Sequence, residues 1–381
     1  MKILIVMGGF FPGKKYGGPP VSVDNFCSLI SDYECYVVTH NHDMGETIPY
    51  EGITEGKWID RGNCKAIYLS NEDYCKHQFE AVINDIKPDI IYLQGLFQPC
   101  ILPCLELAKK YKIKVLLAPR GELCAGAFKK KYKKIPYIFY LKIKGLFRNV
   151  SFHSTSNEET DTIRKYLGAD KNRIHFLTNI PSIPRQVYGH SVKEAGKASF
   201  VFLSRIHPKK NLLSVLKYFS HVTGEVCFDI YGPIEDRQYW DECQRAKREL
   251  PENIKVNYCG LVSHDEVHQV FSRYNAFLFP TFSENFGHVV AEALAVGTPV
   301  IISDQTPWND VCEAGAGWAI PLTNKEGFTA AMQTIIDYDA KKFESISSNA
   351  SKYAHLHSNR NMLHQGYLEA LIRSCCLKDV I

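Results

Sequence analysis

The sequence predicts an α/β protein built from two doubly wound domains that face each other across a cleft, and three observations carry that prediction. Short apolar runs suited to buried parallel strands alternate with longer amphipathic stretches suited to helices, along most of the chain. At 381 residues the chain exceeds one ordinary domain and suits two of moderate size. Between the two alternating series lies the stretch from Pro181 to Lys197, rich in Pro, Ser, Gly and charge, which has the composition of a linker.

The first series places strands at 3–7, 35–39, 65–69, 90–93, 115–118, 150–154 and 174–177, with helices that include 21–30, 74–86 and 101–111. The second places strands at 199–203, 227–231, 254–258, 276–279 and 299–302, separated by helices near 212–222, 239–250, 265–274 and 286–296. Strand–helix alternation of this kind implies right-handed crossovers and ligand binding at strand carboxyl ends. The expected boundaries are a first domain over 1–182, a linker over 183–197, a second domain over 198–357 and a terminal helical segment over 358–381.

Composition narrows the function. Hydrophobic residues make up 45% and charged residues 23%, values typical of a soluble globular protein. A net charge of +4 is too small to argue for nucleic acid, and no nucleic-acid module accompanies it. The apolar run at the N-terminus is too short for a signal peptide, and no stretch is long enough to span a bilayer. The 13 cysteines form no C-x-x-C pair and read as reduced packing residues of a cytoplasmic protein.

The chemistry centres on PTFSENFGHVVAEALAVGTP, residues 280–299. A buried strand, 276–279, leads through a polar loop to a helix expected from Phe286, closed by Gly297 and Pro299. Backbone N–H groups of Asn285, Phe286 and Gly287 at such a helix start favour an anion, and Gly287 allows close approach. Glu284 and Glu292, eight residues apart, would flank a bound phosphate and can accept hydrogen bonds from sugar hydroxyls. The plain alternative makes Glu284 a helix cap and Glu292 a solvated helix residue.

Glu284, Asn285-Phe286-Gly287 and Glu292 together resemble the E-x7-E signature of glycosyltransferase family 4, retaining enzymes of the GT-B fold with two Rossmann-like domains. The resemblance implies a nucleotide-sugar donor without metal or other cofactor. Arg205 and Lys210, five residues apart after the strand at 199–203, resemble the family's diphosphate clamp, with Lys209 as the alternative lysine. Two fixed cations can stabilise a departing nucleoside diphosphate. A surface basic cluster is the alternative. Gly260 and Leu261, closing the strand at 254–258, match the expected nucleobase site. The terminal segment would cross back to the first domain.

In the first domain, Gly17 and Gly18 resemble the glycine loop that faces the donor phosphates, though an ordinary turn reads the same way. The stretch from Gly8 to Lys15 nearly spells a phosphate-binding P-loop, but Lys15 stands where Ser or Thr is required. Arg120, in Pro119-Arg120-Gly121-Glu122, occupies the place where many members carry a histidine near the donor sugar. Arg120 and Glu122 are expected to hold donor or acceptor, or else to pair with each other at the surface. Residues 129–144 are basic and aromatic, from Lys129 to Lys144, and fit a peripheral contact with an anionic membrane face; a solvated basic helix is the alternative.

The reading is a retaining hexosyltransferase, cytoplasmic with peripheral attachment to the inner face of the cell membrane. It would move a hexose from a nucleotide sugar, UDP-linked in preference to GDP-linked, to a glycan or lipid-linked saccharide in surface polysaccharide biosynthesis. Its partners are the donor, the acceptor and the membrane, with no nucleic acid. Two rivals are a sugar-nucleotide epimerase on the same fold and a non-catalytic, membrane-associated binding module.

Overall fold

The computed structural model describes residues 1–124, 128, 131–182, 184, 186–189 and 192–377. The chain divides into two compact units, Met1–Ile180 with Arg360–Ile381, and Pro181–Asn359.

The first unit runs β1 (Lys2–Val6), α1 (Gly18–Leu29), β2 (Glu34–His40), β3 (Trp58–Asp60), β4 (Lys65–Leu69), α2 (Lys76–Ile86), β5 (Ile90–Gln94), α3 (Ile101–Tyr111), β6 (Lys114–Ala118), α4 (Lys131–Ile143), β7 (Val150–Ser154), α5 (Asn157–Thr162) and β8 (Ile174–Phe176). Its sheet has the order β3-β4-β2-β1-β5-β6-β7-β8, parallel except for the antiparallel β3. β1 shows why the strands form. Leu4 and Val6 feed one core while Ile3, Ile5 and Met7 feed the other, so both faces of the strand are covered, as parallel sheets require.

The second unit runs β9 (Lys197–Leu203), α6 (Leu212–Phe219), β10 (Glu225–Tyr231), α7 (Arg237–Arg248), β11 (Ile254–Gly260), α8 (Val267–Phe271), β12 (Ala276–Phe279), α9 (His288–Ala295), β13 (Val300–Ser303), β14 (Gly317–Ile320), α10 (Lys325–Asp337) and α11 (Ala340–His357). Its six strands are ordered β11-β10-β9-β12-β13-β14 and paired in parallel. The core is aromatic. Phe219 lies 5.7 Å from Phe200 and 4.9 Å from Phe228, and Phe277 lies 5.1 Å from Phe271, ring centre to ring centre. Each fully buried Phe contributes about 1.5–3 kcal/mol of burial.

The last helix, α12 (Arg360–Cys375), is counted with the first unit. Its Tyr367 and Leu371 are buried there, Tyr367 Oη donates to the Thr178 carbonyl at 3.0 Å, and Arg360 donates to the Ser28 carbonyl at 2.8 Å.

Several elements differ from the sequence expectation. β3, β14 and α10 were not foreseen, and the helix expected at 265–274 is a 3-10 turn followed by the five-residue α8. The stretch 183–197, expected as a linker, falls within the second unit; residues 183, 185, 190 and 191 lie outside the described ones. Lys193 shows why. Its buried ammonium donates to the carbonyls of Glu194, Ile336 and Tyr338 at 2.7, 3.0 and 2.9 Å, tying the stretch to the end of α10.

Candidate active site

In the second sheet the chain leaves β9 toward β10 on one side, while β12 and β13 extend it on the other, so β9 and β12 flank the topological switch point. The loops at their carboxyl ends carry Arg205 and Lys210 after β9, and Glu284 after β12. Three hydrogen bonds stitch these loops together. Phe282 N donates to the Lys209 carbonyl at 2.9 Å, Thr281 Oγ1 to the same carbonyl at 3.1 Å, and Asn211 Nδ2 to the Pro280 carbonyl at 3.0 Å.

The result is a direct ion pair. Lys210 Nζ donates to Glu284 Oε2, with side chains only 10% and 21% exposed. The same ammonium stands 5.1 Å from the centre of the Phe279 ring at the end of β12, a cation–π contact. Of the two candidate lysines, Lys210 is the one that pairs with Glu284. Arg205 lies on the same loop, but its guanidinium turns to Glu235, a residue the sequence reading did not single out.

Helix α9 begins at His288, two residues later than expected, with Gly287 as its N-cap. Gly287 has φ 79°, and a Cβ there would meet Glu284 Cγ at 3.2 Å and Val290 Cγ2 at 3.3 Å, so any other residue is strained at this turn. The left-handed backbone of Gly287 interrupts the helix there, and the Phe286 carbonyl ahead of it accepts from the Trp308 indole at 2.5 Å. The Glu284 N–H is held by the Gln305 carbonyl at 3.0 Å. Asn285 is exposed and Phe286 half-buried ahead of the helix start.

Glu292 is not a solvated helix residue. It is 3% exposed, and burial pushes its carboxyl up to about 7, with a hydrogen bond from Ser182 pulling the other way. His264 Nδ1 approaches it at 3.9 Å, a neighbour that the sequence reading missed. At the neighbouring strand ends, Gly232 N donates to the Gly260 carbonyl at 2.8 Å, and Leu261 is exposed beyond it.

The first unit offers a second set. Gly17 caps α1 with φ 71°, exposed and with open space around it, and Gly18 is the first residue of that helix. The neighbouring near-P-loop has no free cradle: Lys14 N and Lys15 N donate to the Asp43 carboxylate at 2.8 and 3.0 Å.

Arg120 and Glu122 do not pair with each other, contrary to one of the sequence alternatives. Arg120, at φ 56°, donates to Gln94 Oε1 (2.7 Å), Asn179 Oδ1 (2.8 Å) and Tyr92 Oη (3.3 Å). Glu122 instead accepts from the N–H groups of Leu96 and Phe97 at 2.6 and 3.0 Å. Tyr92 Oη lies 2.6 Å from His153 Nδ1, and His153 Nε2 lies 2.9 Å from the Leu177 carbonyl. That arrangement assigns the proton to Nε2. Burial and the Arg120 charge push the imidazole down to about 3, which keeps it neutral. Arg120 therefore organises a hydrogen-bond network within its own unit.

Helix α4 keeps Ile138 and Leu141 buried and leaves Tyr132, Phe139 and Ile143 exposed at 71%, 62% and 69%. Lys131, Lys133, Lys142 and Lys144 are exposed among them, while Lys129 and Lys130 lie outside the described residues. None of the described helices is long and apolar enough to cross a membrane.

With this geometry established, likeness to known proteins adds the class. Residues 189–353 match the family described as "Glycosyl transferases group 1". The fold is GT-B: two parallel-sheet α/β domains whose structural neighbours are glycosyltransferases. Fold and matched segment together make the chain similar to glycosyltransferases. Among individual proteins, sucrose-phosphate synthase from Thermosynechococcus elongatus superposes with a TM-score of 0.72 at 15% identity, covering 97% of each chain. HepE from Anabaena, in complex with UDP and glucose, also gives 0.72 at 15% identity, covering 97% of this chain and 99% of its own. By sequence, the chain is 26% identical over 221 residues to the O-antigen chain mannosyltransferase RfbU of Salmonella typhimurium, a match spanning 55% of this chain and 60% of that relative.

Proposed function

We propose that this chain is a retaining glycosyltransferase of family 4 that moves a hexose from a nucleotide sugar to a glycan or lipid-linked saccharide in surface polysaccharide biosynthesis. The observation that carries the proposal is the Lys210–Glu284 pair beside Arg205 at the β9/β12 switch point. As the bond from the sugar C1 to the phosphate oxygen breaks, negative charge grows on the nucleoside diphosphate. Arg205 and Lys210 neutralise it, so no metal is called for. Glu284, released from Lys210, accepts from a sugar hydroxyl and orients the donor. Glu292 accepts from the nucleotide ribose, Gly260 and Leu261 meet the base, and the backbone of Asn285, Phe286 and Gly287 meets phosphate or sugar. The acceptor oxygen bonds to C1 on the face the phosphate leaves, and the departing phosphate oxygen takes the acceptor's proton, which preserves the configuration.

HepE's complexes with UDP favour a UDP-sugar, with GDP-sugars as the second choice. The O-antigen relative supports a saccharide acceptor destined for the cell surface. The deciding experiment incubates the protein with UDP-, GDP- and ADP-hexoses plus EDTA, with and without a lipid-linked saccharide fraction, and measures free nucleotide. Release that needs both donor and acceptor supports the transferase. Conversion of the donor without an acceptor marks an epimerase, and binding without turnover marks a binding module.

The membrane is the third partner in this reading, at the cytoplasmic face. The exposed Tyr132, Phe139 and Ile143 would enter the interface while the lysines around them meet anionic headgroups. Each lysine near such a surface contributes about 1 kcal/mol. Co-sedimentation with vesicles containing phosphatidylglycerol is expected, and Lys142→Glu with Lys144→Glu should weaken it by at least about tenfold. Equal binding to neutral vesicles would remove the electrostatic part of the proposal.

A further inference from the structure

Both cations assigned to the diphosphate are held by carboxylates. Lys210 is held by Glu284, which has its own task at the donor sugar. Arg205 is held by Glu235, which the mechanism above does not use. Arg205 Nη1 donates to Glu235 Oε1 at 2.9 Å and to Oε2 at 2.8 Å. The two side chains are 40% and 41% exposed.

The backbone, rather than chance side-chain contact, brings these residues together. Ile206 and Ile234 form an isolated parallel bridge, in which Ile206 N donates to the Pro233 carbonyl at 2.8 Å. Glu235 N and Asp236 N both donate back to the Ile206 carbonyl at 3.2 Å. Asp236 then caps α7 by accepting from Tyr239 N at 2.9 Å, which fixes where the loop ends. Gly232 opens the same loop with φ 132°, and a Cβ there would stand 2.0 Å from the Ser204 carbonyl oxygen. The loops carrying Arg205 and Glu235 are thus pressed together by main-chain bonds at both ends of the bridge.

We propose that Glu235 is a resident counter-ion for Arg205, standing where diphosphate oxygens bind and exchanged for them at each turnover, so that it sets nucleotide affinity and hastens departure of the nucleoside diphosphate. This inference rests on the diphosphate-clamp reading of Arg205. A carboxylate offers a guanidinium two acceptor oxygens, as a phosphate does. An exposed pair of this kind is weakly held, so a ligand bearing more negative charge displaces it readily. After transfer, the carboxylate recaptures Arg205 and competes against rebinding of the product. Glu235 is accordingly a positioning residue, acting on the substrate only through Arg205.

The test measures affinity by titration calorimetry for UDP, GDP, ADP and inorganic pyrophosphate, in the intact protein and in Glu235→Gln, Arg205→Ala and the double variant. Glu235→Gln is expected to tighten binding of the preferred nucleotide and of pyrophosphate by about two- to fivefold, the range an exposed ion pair can set. The gain should shrink at high salt and vanish in the Arg205→Ala background. In steady state Glu235→Gln should lower the donor KM, and lower kcat where product release limits the rate. Melting curves of both single variants confirm that each is folded. Unchanged or weaker binding in Glu235→Gln, with binding lost in Arg205→Ala, overturns the counter-ion while the clamp stands. Full affinity in Arg205→Ala, or no nucleotide binding by the intact protein, overturns the clamp and this inference with it.

Discussion

Lys210→Ala is expected to lower turnover by about 10²–10³-fold, the effect of removing one group that stabilises developing charge in a transition state. The side chain is well placed for an effect of that size. Its side chain is only 10% exposed, and its ammonium is paired with Glu284 and set over the Phe279 ring, so it is already oriented. Little reorganisation is needed when the phosphate takes up charge. The loss should fall mainly on kcat, because the interaction strengthens as the glycosidic bond breaks. Removing the lysine also leaves Glu284, 21% exposed, without its cation, so a modest drop in melting temperature should accompany the kinetic effect. Nucleotide release from donor plus acceptor measures the first effect and thermal melting the second. A kcat within twofold of the intact protein would sink the assignment of Lys210 to the reaction.

Glu292→Gln should stabilise the protein above pH 7 and change it little near pH 5. Burial raises the carboxyl from its ordinary 4.5 to about 7, so the folded protein keeps this proton where the unfolded chain has lost it. Between those values the native state binds more protons than the unfolded one, and stability falls as pH rises. The shift corresponds to at most about 3 kcal/mol, which glutamine, neutral at every pH, would recover above pH 7. Melting temperatures of both proteins from pH 5 to pH 8 provide the check. The two curves should meet at the acid end and separate toward pH 8; parallel curves would show that Glu292 is ionised in the folded state throughout. Glutamine keeps an acceptor oxygen but not the charge, so the same substitution should weaken the ribose contact assigned to Glu292 only modestly while it stabilises the protein.

The parts of this structure that were legible in the sequence are those determined locally. The strand 276–279 is apolar at every position because both of its faces are covered, and the burial of Ala276–Phe279 follows from that. The spacing of Arg205 from Lys210, and of Glu284 from Glu292, survives folding because each pair sits on one loop or on one loop and its helix. What could not be read depends on partners distant in sequence. The Phe286 carbonyl ahead of α9 is held by Trp308 from 22 residues away. The hold of Glu235 on Arg205 spans 30 residues and exists only through the Ile206–Ile234 bridge. Arg120 was legible as unusual but not as a hub, because Asn179, one of its acceptors, lies 59 positions on. The strand β14, four residues with mixed burial, carries too little pattern to stand out.

The first unit closes its core with α12, whose Tyr367 ring packs 5.5 Å from Phe26 and 5.6 Å from His153, and whose Leu371 is fully buried. All of Pro181–Asn359 intervenes between that helix and the rest of its unit. Bringing ends together over such a length adds little entropy beyond that of a loop half as long, since each doubling costs only about 0.6 kcal/mol. The consequence is one of timing. A chain made from its N-terminus exposes the first sheet long before α12 exists, and the whole second unit can fold in the interval. The unit begun first is therefore the one finished last, and until α12 arrives the apolar surface around Phe26 stands open to water.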